Sequence, residues 1–216
     1  MLGRFLVASV TALTATVALP RISSATAAAD PCAFIEDLDV QLQRLVRSTS
    51  PEQRFVPFRQ LFRADFDVSG IARFVLGRYW RLASPAQQQE FLALFENYIV
   101  LTFSGRLSQY VESGDAPRVT GSKLDPEGAV VSSQINLANG GGPRAGGHGA
   151  TVLPIRVDWH LTEQNGSYKI SDVVVDGISM AVTQRTEFTS AIDRQGGQVQ
   201  SLLTTLRQHT PIAFPR

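Results

Sequence analysis

The chain has 216 residues, with 20 Lys or Arg against 19 Asp or Glu and a single cysteine. So even a balance excludes the clustered basic charge of a nucleic-acid binder. One thiol excludes an internal disulfide framework, so stability has to come from burial, for which the length suffices.

Arg4 precedes an apolar stretch from Phe5 to Leu19, and small residues end at Ala27 and Ala29 before Asp30. This is the pattern of an export signal, and the stretch falls short of the roughly 20 apolar residues that a bilayer span needs. The expectation is a signal peptide over 1–29, a folded domain over 30–210 and a tail over 211–216. Removal of Arg4 and Arg21 would leave acidic residues ahead of basic ones by one. Cys32 follows Asp30-Pro31 instead of the small residues of a lipid-attachment site, so it reads as a spare thiol.

From about Ala33 to Arg47, Phe34, Leu38, Leu42 and Leu45 stand at helical spacing. Ser50-Pro51-Glu52-Gln53 is a capping box with Pro at the first helical position, followed by Phe55, Phe58, Leu61 and Phe62 on one side. Asp67 can cap a short third helix carrying Ile71, Phe74 and Val75, ended by Gly77 in a left-handed conformation. Ser84-Pro85-Ala86-Gln87 repeats the capping box and opens a long aromatic helix running toward Tyr110.

After Gly114 the period changes to two. Val131, Ile135 and Leu137 share one face of a strand; Leu153, Ile155, Val157, Trp159 and Leu161 share one face of another, with Arg156, Asp158 and His160 opposite. Asn165-Gly166 supplies a tight hairpin turn into a strand from Tyr168 to Val175. Asn139 to Gly149 is glycine-rich and reads as a hairpin tip. Ile178 to Gln208 is helical again, broken at Gly196-Gly197. Helices, then a meander, then helices make an α+β fold.

Gly177-Ile178-Ser179-Met180-Ala181 nearly matches a nucleophile elbow, and Asp193 and His209 follow in hydrolase order. The elbow works on a parallel sheet, whereas these strands are joined as hairpins, so Ser179 reads as an N-cap and not as a catalytic residue. A serine hydrolase using Ser179 and an adaptor that binds proteins without cargo stand as the alternatives. His148, His160 and His209 lack metal-ligand spacing, and the glycine tip lacks the Lys-Ser/Thr of a phosphate loop, so no metal or cofactor is expected.

An excess of large apolar residues remains. Leu76, Trp80, Phe91, Phe95, Tyr98, Phe103 and Tyr110 face a sheet whose inner side carries Ile135, Ile155, Val157 and Trp159, and these are the candidates for lining an interior apolar pocket. Arg73, Arg78 and Arg81 around the Gly77 corner are candidates for meeting an anionic head group, because guanidinium matches phosphate geometry.

Val75-Leu76-Gly77-Arg78-Tyr79-Trp80 with Ala83-Ser84-Pro85-Ala86-Gln87-Gln88, and then Val175-Asp176-Gly177-Ile178-Ser179-Met180 with Gln184-Arg185-Thr186-Glu187-Phe188, resemble the MlaC family of periplasmic phospholipid-binding proteins, including its hopanoid-associated HpnM-like members. The resemblance spans about Glu36 to Gln208. It implies a twisted antiparallel sheet wrapped by helices, with an internal apolar lipid pocket and the head group near solvent. It also implies a lipid carrier of the periplasm, working between an outer-membrane lipoprotein complex and the MCE-domain protein of an inner-membrane ABC transporter. The glycine tip and the Pro-rich end after His209 depart from the family pattern.

Overall fold

The computed structural model describes residues 30–105, 107, 117–135 and 154–209. The expected signal peptide, the glycine tip, the tail, and Tyr110, Leu137, Leu153 and His148 therefore lie outside the described residues.

Local capping chemistry sets the helix starts. The Asp30 carboxylate accepts from the Cys32 amide at 2.9 Å and opens α1, Pro31–Ser48, which buries Ile35, Leu38, Leu45 and Val46. At its far end Arg54, itself buried, donates to the carbonyls of Val46 at 3.0 Å and Thr49 at 3.1 Å. These are carbonyls that a helix C-terminus leaves without intrahelical partners. The Ser50 box forms a single 3-10 turn, Pro51–Gln53, in which the Ser50 amide donates to Gln53 Oε1 at 3.2 Å. The longer helix resumes as α2, Phe55–Asp65.

Asp67 caps α3, Val68–Leu76, by accepting from the Gly70 amide at 3.0 Å. Gly77 then turns the chain into a short α4, Arg78–Leu82, which the sequence reading left as a corner. Its φ of +57° is positive as expected, but its ψ of −129° lies outside the left-handed helical well and suits glycine alone. In α5, Pro85–Ser104, the Gln87 amide donates to Ser84 Oγ at 3.3 Å while the Ser84 amide donates to Gln87 Oε1 at 3.0 Å.

The strands β1 (Arg118–Asp125), β2 (Gly128–Ile135), β3 (Ile155–Gln164), β4 (Ser167–Val175) and β5 (Ile178–Ser179) pair in sequence order, each neighbour antiparallel. Val131 lies opposite Trp159 and Ile135 opposite Ile155, so the alternating apolar faces meet on one side. Asn165 and Gly166 have φ of 54° and 78°, the pair of positive values that a tight hairpin needs. A second such turn, Asp176-Gly177, adds β5, so Ile178–Ser179 is strand where the sequence reading placed helix. The last helices are α6, Met180–Arg194, and α7, Val199–His209, separated at Gly196-Gly197.

On the solvent face, Asp158 accepts from Ser132 at 2.6 Å and from Arg156 at 3.0 Å. Partial burial lifts the Asp158 carboxyl, but these bonds and the positive charge nearby outweigh it and hold the group below its usual range.

The apolar interior divides in two. One cluster joins α2, α3, α5, α6 and α7 through residues such as Val75, Leu76, Phe91, Phe95, Phe188 and Leu203. The other packs Ile35, Leu38 and Leu61 against Ala129, Val131, Leu161, Tyr168 and Ile170 of the sheet. Leu42 and Phe66 touch both.

Candidate functional site

The seam between the two clusters is open: a cavity of about 390 Å³ lies there, within the range of ordinary ligand sites. Ile135 of β2, Val157 and Trp159 of β3, and Val173 and Val175 of β4 form its sheet wall. Ile35, Leu38 and Leu42 of α1 and Phe58, Leu61 and Phe62 of α2 face them. Phe95, Ile99 and Phe103, spaced by one helical turn along α5, continue through Leu107, and Met180, Ala181 and Gln184 at the start of α6 also border it.

Two local features lower the polarity of that wall. The Trp159 Nε1–H donates to Ser133 Oγ at 2.9 Å, and Ser133 is fully buried, so the indole hides its polar atom. At a β-bulge opposite His160 and Leu161, Asp172 turns its carboxylate to the start of α6, where Oδ1 accepts from the Ala181 amide at 2.9 Å.

Of the residues proposed from sequence, Phe95, Phe103, Ile135, Val157 and Trp159 border the cavity. Leu76 and Phe91 do not. Both are fully buried in the helical cluster, where Phe91, Phe95 and Tyr98 pack on Phe188 with ring centroids 6.1, 6.2 and 5.3 Å away. Trp80 and Tyr98 are partly buried against that same cluster, and Ile155 is half-buried at the start of β3, away from the described wall. The α1 and α2 faces were read as helix stripes but not as cavity wall.

The three candidate head-group arginines also stand elsewhere. Arg73 lies over the Trp80 ring at 5.4 Å, Arg78 pairs with Asp193 at 2.7 Å, and Arg81 is exposed; none borders the cavity. Among the described wall residues the one cation is Arg47, near the end of α1. Burial pushes the neighbouring Asp39 carboxyl above its usual range, against a hydrogen bond from Gln43 that lowers it.

Ser179 is an N-cap. Its hydroxyl accepts from the Val182 amide at 3.0 Å and donates to Asp172 Oδ2 at 2.5 Å. Asp193 sits at the opposite end of α6, bonded to Arg78 and to the Tyr79 hydroxyl, so the elbow-like motif does not gather with it. Among the described residues no three of His, Cys, Asp and Glu come together as a metal site, and no helix is long and apolar enough to cross a membrane.

An antiparallel meander covered by helices, with an apolar hollow at the seam of its two cores, defines a protein built to enclose a small apolar ligand. The sequence profile of the MlaC protein family matches residues 38–208, and the chain belongs to that family. It is similar to the toluene tolerance protein ttg2D of Pseudomonas putida, 22% identical over 166 residues, which are 76% of this chain and 71% of that protein. It is also similar to the intermembrane phospholipid transport system binding protein MlaC of Haemophilus influenzae, 24% identical over 144 residues, which are 65% of this chain and 61% of that one. A solved structure of a phospholipid-binding protein from Ralstonia solanacearum, in complex with a phospholipid, matches with a TM-score of 0.68 at 19% identity, covering 85% of this chain and 98% of the other. At that identity the likeness is one of fold, and it agrees with the α+β sheet wrapped by helices expected from the sequence.

Proposed function

We propose that the protein is a lipid carrier and not an enzyme: it takes the acyl tails of a phospholipid into the cavity and moves the lipid across the periplasm between the outer and inner membranes. The observation that carries this reading is the apolar cavity itself. Its wall is mostly apolar, as a hydrocarbon ligand requires. The ligand gains from entering it: two chains of roughly 15 carbons, at about 0.8 kcal/mol per methylene, resist water by about 20 kcal/mol or more.

The names of the relatives support the cargo class, since one is a binding protein of an intermembrane phospholipid transport system and the Ralstonia protein is in complex with a phospholipid. On this reading the partners are an outer-membrane lipoprotein complex and the MCE-domain protein of an inner-membrane ABC transporter. Native mass spectrometry and lipid extraction of protein purified from a bacterial host test it. The expected result is one diacyl phospholipid per chain, lost when the wall is filled by Val157→Trp or Val175→Phe, each at a stability cost of about 1–3 kcal/mol. Lipid-free protein, or undiminished lipid in both folded variants, would refute the reading; a polycyclic triterpenoid in the extract would replace the cargo by one of the hopanoid type.

A further inference from the structure

Asp39, Gln43 and Arg47 stand at i, i+4 and i+8 on α1 and all border the cavity. Gln43 Nε2 donates to Asp39 Oδ2 at 2.7 Å, which turns the amide so that its oxygen accepts from Arg47 Nη2 at 3.3 Å. Gln43 and Arg47 also border a shallow depression on the outer side of α1, with Val40, Arg44 and Ser48. The ladder therefore runs from the cavity wall at Asp39 to its rim at Arg47.

We propose that Arg47, positioned by Gln43 and Asp39, binds the phosphate of a lipid head group at the rim of the cavity. This rests on the carrier reading and names the part of the cargo recognised by a polar contact. The ion-paired arginines are committed: Arg59 and Arg63 to Glu96, Arg78 to Asp193, Arg156 to Asp158 and Arg207 to Glu90. Arg47 has no carboxylate partner among the described residues.

Nor is Arg47 engaged in closing α1. The carbonyls of Val46 and Thr49 are taken by Arg54, and that of Leu45 by the Thr49 hydroxyl at 2.5 Å. A guanidinium has five N–H donors in a planar fork that matches two phosphate oxygens, and the bond to Gln43 uses only part of that capacity. The two acidic residues on the described wall, Asp39 and Asp172, repel an anion deeper inside, so a phosphate is favoured at the rim while the tails take the apolar seam.

The test uses delipidated full chain and three probes: dioleoylphosphatidylglycerol, dioleoylglycerol with the same tails, and glycerol 3-phosphate alone, read by competition in native mass spectrometry. Wild type is expected to retain the phosphorylated lipid over dioleoylglycerol by about tenfold or more, as charge-assisted bonds predict. R47Q is expected to bring that ratio near one by lowering retention of the phosphorylated lipid, with far-UV circular dichroism unchanged, whereas R81Q keeps the ratio. No preference in wild type, or a preference that survives R47Q, overturns the proposal. So does binding of glycerol 3-phosphate alone that R47Q abolishes, which would assign the site to free phosphate. Wild type that binds neither lipid overturns the carrier reading itself.

Discussion

Ser179→Ala separates a capping serine from a nucleophile, because the structure gives the hydroxyl two tasks that can be weighed. Losing the acceptor for the Val182 amide costs about 1 kcal/mol, the usual value of an N-cap. The hydroxyl also donates to the Asp172 carboxylate at 2.5 Å, and hydrogen bonds to charged groups contribute roughly 1.5–3 kcal/mol. Asp172 keeps the amides of Ala181 at 2.9 Å and Val173 at 2.8 Å, so it is not orphaned and the lower end of that range applies. The sum is about 2–3 kcal/mol, or roughly 5–10 °C in melting temperature for a domain of this size. Urea denaturation followed by circular dichroism measures it, on delipidated protein because bound ligand raises apparent stability. Ser179→Thr, which keeps a hydroxyl, is expected to restore most of the loss. Unchanged stability in Ser179→Ala, together with loss of an esterase activity present in wild type, would refute the capping account.

Further outcomes follow from particular contacts. Gly77→Ala forces an L-residue into φ +57°, ψ −129° and sets its Cβ 3.1 Å from Arg185 Nε, so a loss of about 2 kcal/mol is expected in the same titration; no loss would mean that the turn is not held as described. Arg54→Met keeps the length of the side chain but strands the carbonyls at the end of α1, with an expected cost of about 2–3 kcal/mol; an unchanged urea midpoint would argue against that cap. The Tyr79 hydroxyl first, and then Arg78, hold the Asp193 carboxyl below its usual 3.8. The stabilisation is therefore present above pH 3.8 and disappears as pH falls through the lower folded value. Asp193→Asn should lower the urea midpoint at pH 7, with the gap to wild type narrowing toward pH 3; a constant gap would contradict this.

The helices were legible because their starts are local chemistry: Ser84 and Gln87 meet across three residues whatever the rest of the chain does. The hairpin at Asn165-Gly166 was legible for the same reason. β1 was not read as a strand, since Arg118–Asp125 is an exposed edge with a register shift between Val119 and Gly121 and no apolar alternation to betray it. The cavity was legible only in part, because α5 is apolar around most of its circumference. Sequence does not say that Phe91 turns to Phe188 while Ile99 and Phe103 turn to the hollow. Charge was the least informative signal. Arg78 resembles a free cation until the fold brings Asp193, 115 residues away, within 2.7 Å. Arg47 is unremarkable in the sequence, and only the position of α1 sets it at the rim.

On the proposed carrier function, the bond between the Trp159 indole and Ser133 has a kinetic consequence. With its N–H spent on a neighbouring strand, the largest ring on the wall would offer a passing hydrocarbon an aromatic surface with no free donor to unlatch, so that tight sheltering and rapid hand-over need not conflict.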